Sequence, residues 1–384
     1  MKPKNQLIAG LSFNKLADLL ISAKTTLTAL LLSVGAPIWM IGWLVPIRES
    51  GALLPQVLIS IYLRKHPKRH IVWRVGMLVQ SLAVIGMLVS ATLLSDAKAG
   101  ACILASLVLL SLGRSACSLT VKDMEADVAR KGQRGNLIGV ASTVSGVITL
   151  LIAIPLALYE GAFSSNTLMV ILCVSVLAFL VTLVCVWPIK TNVELDYSSD
   201  GAMGIDFDST VYKFIFVRGL FVHSALVAPY FMLEKSGEAQ ELLPIYIGAE
   251  ALAALLSSII WGKIADKSAK LTLQASGVLA LFACVGLLVL QSTSIVTSAL
   301  LFFVLSVAHA GVRTGRKTYS LDVKDGHDRT ELVGFSNTAI GLVLLGFGAI
   351  YAALTPVLSF SVVYIMSAML LFAIVASLIL PNEK

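Results

Sequence analysis

The sequence is short of charge: Asp, Glu, Lys and Arg together make up 13% of its 384 residues, about half the share found in an average soluble domain. It carries no GxSxG elbow, no Walker phosphate loop and no HExxH pair. These absences speak against a hydrolase, an ATP-driven pump and a zinc enzyme. Five cysteines, Cys102, Cys117, Cys173, Cys185 and Cys284, all lie in apolar runs without CxxC or Cys/His spacing. Neither a disulfide framework nor a metal site is expected, and no cofactor or catalytic residue is assigned. The alternating ten-residue strands of a membrane β-barrel are missing as well.

What the chain has is apolar length. It is 57% hydrophobic, with a mean hydropathy of +0.89, and no soluble fold of this size hides so much apolar surface. A helix crossing a bilayer needs roughly 20 apolar residues. Apolar stretches recur along the whole chain, the first read over 17–35 and the last over 360–380. The expected fold is therefore an all-α integral membrane protein with twelve transmembrane helices in two six-helix bundles. The amino-terminal bundle is expected over residues 1–187 and the carboxy-terminal one over 211–384. Between them, residues 188–210 form the longest polar stretch and read as a cytoplasmic linker.

The net charge is +7, and the basic residues crowd into alternate loops. Arg64, Lys65, Lys68, Arg69, Lys263, Lys267, Lys270, Arg316 and Lys317 fall on one side, whereas Lys98 and Lys235 fall on the other. This bias reads as membrane topology with both termini in the cytoplasm and not as a nucleic-acid surface. The opening MKPKNQLIAG has no cleavable signal pattern, so the first helix is expected to serve as the insertion signal. The expected location is a bacterial-type inner membrane, and the expected assembly a monomer.

The two halves repeat. At an offset of 195, Lys122 falls on Lys317, Asp127 on Asp322, Val128 on Val323, Arg134 on Arg329, Leu137 on Leu332, Gly139 on Gly334, Thr143 on Thr338 and Gly146 on Gly341. This run marks a duplication, and a parallel repeat of six-helix halves is a transporter plan. An offset of 201 sets Glu49 over Glu250 and Leu54 over Leu255, while a rival of 198 aligns Leu44-x-Pro46-Ile47 with Leu242-x-Pro244-Ile245 and breaks the glutamate pairing. The sequence leaves both offsets open.

The loop Gly262-Lys-Ile-Ala-Asp266-Lys-Ser-Ala-Lys270 resembles the G-x-x-x-D-[RK]-x-G-[RK]-[RK] signature of the major facilitator superfamily, with Ala269 in place of its glycine. The R-x-x-L-x-G starts at Arg134 and Arg329 resemble that superfamily's fifth and eleventh helices. The first-half copy of the signature, from Ile61 to Arg69, carries Lys65 where the acid belongs. The resemblance implies a secondary transporter, not an enzyme, that rocks two halves about a central site. It also implies a cytoplasmic gate built from Lys65, Asp127, Arg134, Gly262, Asp266, Lys270, Asp322 and Arg329.

Charge inside a bilayer costs at least about 2.5–3.5 kcal/mol per group and marks cavities or partners. Lys24, Arg48, Glu49, Arg114, Arg218, His223, Glu250 and His309 are the candidates for substrate or ion binding. Lys24 and Arg218 read as equivalents, each about seven residues into the first helix of its half. Glu49 is a candidate partner for Lys24. Glu250 has no basic neighbour in sequence and reads as a proton carrier. Four basic groups (Lys24, Arg48, Arg114, Arg218) stand against two acidic ones (Glu49, Glu250), which favours an anionic or zwitterionic small-molecule solute, with protons as coupling ion. Two alternatives stay open: an exporter of amphipathic drug-like or lipid-like molecules, and a non-transporting membrane receptor or scaffold.

Overall fold

The structure, a computed structural model, describes residues 3–65, 68–128, 134–157, 165–190, 209–290, 294–322 and 326–381. The first part of the chain holds α1 (Pro3–Leu20), α2 (Thr26–Ser33), a 3-10 turn at Ile38–Trp43, α3 (Leu44–Leu53), α4 (Gln56–Lys65), α5 (Arg69–Leu93), α6 (Asp96–Val128), α7 (Arg134–Ala157) and α8 (Ser165–Val186). The second holds α9 (Ser209–Leu220), α10 (His223–Leu226), α11 (Ala228–Leu233), a 3-10 turn at Ser236–Glu238, α12 (Ala239–Ala265), α13 (Ala269–Val289), α14 (Ile295–Asp322), α15 (Gly326–Leu354) and α16 (Val363–Ala376), closed by a 3-10 turn at Ser377–Ile379. No strand occurs among the described residues. Hydrocarbon offers the backbone no partners, and a helix supplies its own.

Eight described helical stretches are long and apolar enough to cross a bilayer: Arg69–Leu93, Asp96–Val121, Asn166–Val186, Ser209–Leu233, Glu241–Ala265, Ala269–Val289, Ile295–Tyr319 and Phe335–Leu354. Polarity is inverted relative to a water-soluble protein. Leu82 and Phe282 are 64% and 63% exposed, while Arg48 and His223 are 6% and 0% exposed. The chain is a multi-pass membrane protein whose outer face meets lipid and whose polar groups face inward. Many hydroxyls inside helices bond back to their own turn, as Ser81 does to the Met77 carbonyl and Thr149 to that of Ser145, which satisfies them without a partner from outside the helix.

Packing repeats as the sequence does. In the first part α5 packs on α6 and α8; in the second α13 packs on α14 and α16. The two parts meet along α3 with α15 and along α7 with α12. Each crossing is closed by a glycine against a leucine. A Cβ on Gly341 would sit 2.9 Å from Leu54 Cδ2, and one on Gly146 would sit 2.7 Å from Leu255 Cδ2. Gly146 and Gly341 are repeat partners, and so are Leu54 and Leu255 at the offset of 201. The matching contacts therefore decide for 201 over 198 here and make Glu49 and Glu250 equivalents, each five residues before its leucine. Helix ends repeat too. Arg74 donates to the Trp187 and Ile189 carbonyls beyond α8, and Lys270 donates to the Leu378 and Leu380 carbonyls beyond α16 at 3.4 and 2.6 Å. Cations are favoured at such carbonyl ends.

A very tight approach between the two parts is at Gly348 on α15, where a Cβ would lie 2.3 Å from Cγ of Pro46 on α3. A proline ring has no rotamer to escape into. Gly348→Val is expected to destabilise the protein by about 1–3 kcal/mol through overpacking, read as a lower melting temperature of the detergent-purified protein. Gly341→Val should cost less, because the Leu54 side chain can turn away.

Candidate functional site

The first helix does not begin at residue 17, as the apolar run suggests, but at Pro3, and it breaks. Helical order stops at Leu20 and resumes at Thr26. The first helix of the second part breaks at the same point of the repeat: α9 stops at Leu220, and α10 and α11 follow in short pieces. A matched pair of interrupted helices is a pointer to a transport site, because freed backbone groups and half-helix ends become available there.

Each break is stabilised by a side chain. Arg48 on α3 donates to the Ile21 carbonyl and, at 3.1 Å, to the Asp18 carbonyl, and its Nη2 also meets Asp18 Oδ1 at 3.1 Å. A guanidinium thus caps the carbonyl end of α1, where positive charge is favoured. Asp18 is the hub. Its second oxygen, Oδ2, lies 3.6 Å from Nη2 of Arg114 on α6, so one carboxylate bridges two arginines from two other helices. In the second part, His223 Nδ1 lies 2.7 Å from the Leu220 carbonyl. A carbonyl can only accept, so Nδ1 carries the proton. Arg218 donates to Ser336 Oγ and, at 2.7 Å, to Asn337 Oδ1 on α15. Asn337 Nδ2 in turn reaches Gln56 Oε1 on α4 at 3.4 Å.

These positions correct the sequence reading. Lys24 is not seven residues into a helix; it lies in the non-helical turn between α1 and α2. The positional equivalent of Arg218 is Asp18, each two residues before its break, with opposite charge. Lys24 pairs with Glu250 on α12, Nζ to Oε1 3.7 Å, and not with Glu49, which has no ion pair within 4 Å among the described residues. Glu250, without a basic neighbour in sequence, has one in space. The count of four bases against two acids omits Asp18. An acid at residue 18 reads as sitting at a membrane edge only if the helix starts at 17.

A cavity of about 20 Å³ is lined by Glu49 from the first part and by Arg218, Ser224, His309 and Arg316 from the second, over an apolar floor that includes Phe221 and Leu344. That volume holds about one water molecule. Ser224 donates to the Phe221 carbonyl at 2.9 Å, which leaves its oxygen to accept from His309 Nδ1 at 3.2 Å. Of the sequence candidates, Glu49, Arg218 and His309 reach this cavity. Lys24, Arg48, Arg114 and Glu250 form the ion pairs beside it. His223 is fully buried against Phe347 and Tyr351, with ring centroids 4.5 and 5.7 Å away. Arg316, Ser336 and Asn337 belong to the site but gave no sequence signal, since Arg316 read as a loop residue and the other two as ordinary helix.

Among the proposed gate residues, the side chains of Lys65, Asp127, Arg134, Asp322 and Arg329 lie outside the described residues. Asp266 is exposed at the end of α12, and a Cβ on Gly262 would meet nothing within 4 Å. Lys270 is turned toward the carbonyls beyond α16, within its own half. No group of three or more His, Cys, Asp or Glu side chains among the described residues is placed to hold a metal ion.

No family model matches the chain, and no curated protein matches it either. Its fold is shared with solved structures. The crystal structure of a D-xylose-proton symporter superposes with a TM-score of 0.75 at 12% identity, covering 99% of this chain and 98% of that one. The inward-open xylose transporter XylE from E. coli gives 0.73 at 11% identity over 99% and 96%. A bacterial homologue of the iron transporter ferroportin, in its outward-facing state, gives 0.61 at 15% identity over 98% and 99%. At such identities the likeness concerns the fold alone, which the chain shares with these solved transporter structures.

Proposed function

We propose that this chain, built on the major facilitator fold, is a secondary active transporter that moves a small anionic or zwitterionic solute by alternating access, with protons as the coupling ion. The observation that carries the reading is the Lys24–Glu250 ion pair. It joins the two halves of the repeat at the break in the first helix, where a transporter must make and break contacts in each cycle. In this reading α1 with α2, α3 with α4, and α9 with α10 and α11 each form one interrupted span. Twelve spans result, in bundles over 1–187 and 211–384, with 188–210 as the cytoplasmic linker. The basic loops support a reading with both termini in the cytoplasm of a bacterial-type inner membrane. The gate assigned to Asp266, with Arg134 and the other loop residues, remains part of the proposal.

The charges supply a coupling device. The Asp18 carboxylate holds Arg114 and adds its charge to the two backbone carbonyls that hold Arg48. A proton on Asp18 would release Arg114 and weaken the cap on α1, so proton occupancy and the shape of the break are linked. Glu250 does the same for Lys24 across the halves, which keeps it as a second proton carrier, with Glu49 as its repeat equivalent. Proton coupling is a property of the D-xylose symporter by name; here the support is these carboxylates. A neutral sugar is disfavoured by the charge around the cavity.

The test is transport in proteoliposomes, with a panel of carboxylates, amino acids and neutral sugars, with and without an imposed pH gradient. A carboxylated solute is expected to accumulate under the gradient and to lose that accumulation when a protonophore is added. Exchange without gradient-driven accumulation would remove proton coupling, and no movement of any solute would remove the transporter reading.

A further inference from the structure

The ion pairs leave one region of the molecule uncompensated. Asp18 serves Arg48 and Arg114, and Glu250 serves Lys24. Arg218 and Arg316 face the same cavity and lie close enough to repel one another. Neither has a carboxylate within ion-pairing distance among the described residues. Arg218 is 8% exposed. Its terminal nitrogens are held by neutral groups, Ser336 and Asn337, and its Nε is buried without a partner. Two guanidiniums kept together in a low-dielectric interior need an anion, because neither can shed its charge. The carboxylate that shares their cavity is Glu49, which comes from the other half of the repeat and feels the charges of Arg114, Arg313 and Arg316.

From this arrangement we propose that Arg218 and Arg316 form the subsite for a carboxylate of the solute, and that Glu49 is its internal stand-in when the site is empty. The inference rests on the transporter reading and deepens it by naming the group that is recognised. The exchange is like for like. The cavity beside Glu49 is too small for a second carboxylate, so the solute's carboxylate takes the place that the Glu49 carboxylate vacates. Arginine offers paired N–H donors that match the two oxygens of a carboxylate. Displacement of Glu49 also removes an attraction between the halves, so filling the site loosens the contact that closes it.

The experiment uses the full chain purified in detergent, with malonate as the probe and chloride at equal ionic strength as the control. Binding is followed by thermal stabilisation and by calorimetry. Wild type is expected to bind malonate. Arg316→Gln and Arg218→Gln should weaken binding about tenfold or more, the loss typical of a charged hydrogen bond. Arg218→Lys, which keeps the charge and guards against a misfolded glutamine variant, should weaken it less. Glu49→Gln should tighten binding several-fold, because it removes the internal competitor. A merely structural role for Glu49 would not move affinity in that direction. Unchanged or weaker binding in Glu49→Gln would overturn the stand-in role. Equal binding by wild type and by both arginine variants, or no binding by wild type, would overturn the subsite. Counterflow in proteoliposomes separates the two readings: transport without malonate binding would sink the subsite alone, and malonate binding without transport of any solute would sink the transporter alone.

Discussion

Asp18→Asn is expected to have the largest effect of any single substitution in this protein. The change is nearly isosteric, yet it strands Arg48 and Arg114 next to each other with no carboxylate between them. Asp18 and Arg48 have side chains only 22% and 7% exposed. Removing one member of a buried pair costs about 3–5 kcal/mol, because the charge left behind keeps its desolvation penalty and loses its partner. The variant should melt several degrees lower in detergent and should lose gradient-driven accumulation. The two losses can be separated. Adding Arg114→Gln to Asp18→Asn removes the surplus charge, so stability should largely return while accumulation does not. The interaction between neighbouring sites is what such a double variant measures. If Asp18→Asn keeps both its melting temperature and its uphill transport, Asp18 is neither the hub of the cluster nor a proton carrier.

Lys24→Glu is the second large effect expected. It sets a carboxylate against Glu250 across the line along which the two halves meet. Both partners are 15% exposed in the wild type, so neither attraction nor repulsion is fully screened, unlike an exposed pair worth ~0–1 kcal/mol. The contact is made in this arrangement of the halves, so its reversal should shift the balance between open and closed states. A change of about 1.4 kcal/mol moves such an equilibrium tenfold. Counterflow is expected to fall at least tenfold, and labelling of a cysteine placed in the cavity should rise. The swapped pair, Lys24→Glu with Glu250→Lys, should recover a large part of both. Failure of the swap to recover anything, with a well-folded double variant, would mean that the pair does not act through its charge.

The sequence by itself determined the broad architecture. Low charge, long apolar runs and the repeat at Gly146 and Gly341 led to an all-helical membrane protein with an internal duplication, and the loop at Gly262 to Lys270 resembled the signature of the major facilitator superfamily. Such features are legible because bilayer thickness sets the length of each run and because duplication copies residues at a fixed spacing. The candidate site was legible only as a set of polar residues in the wrong medium: charge in a membrane is costly, so each one stands out. Which partner each charge takes was not legible. Lys24 and Glu250 are distant in sequence, and nothing local to either names the other; Glu49 looked equally suitable for Lys24.

The break in the first helix was decided by tertiary structure alone. Leu20-Ile21-Ser22-Ala23-Lys24-Thr25 contains neither glycine nor proline, so no local breaker announces it. The helix stops there because Arg48, from another helix, satisfies the carbonyls of Asp18 and Ile21, which hydrocarbon would leave unpaired. The same distant guanidinium holds the Asp18 carboxylate. Tertiary structure thereby made an acid that drew no attention in the sequence the centre of the charge cluster, because only the packing of α1, α3 and α6 brings Asp18, Arg48 and Arg114 to one point.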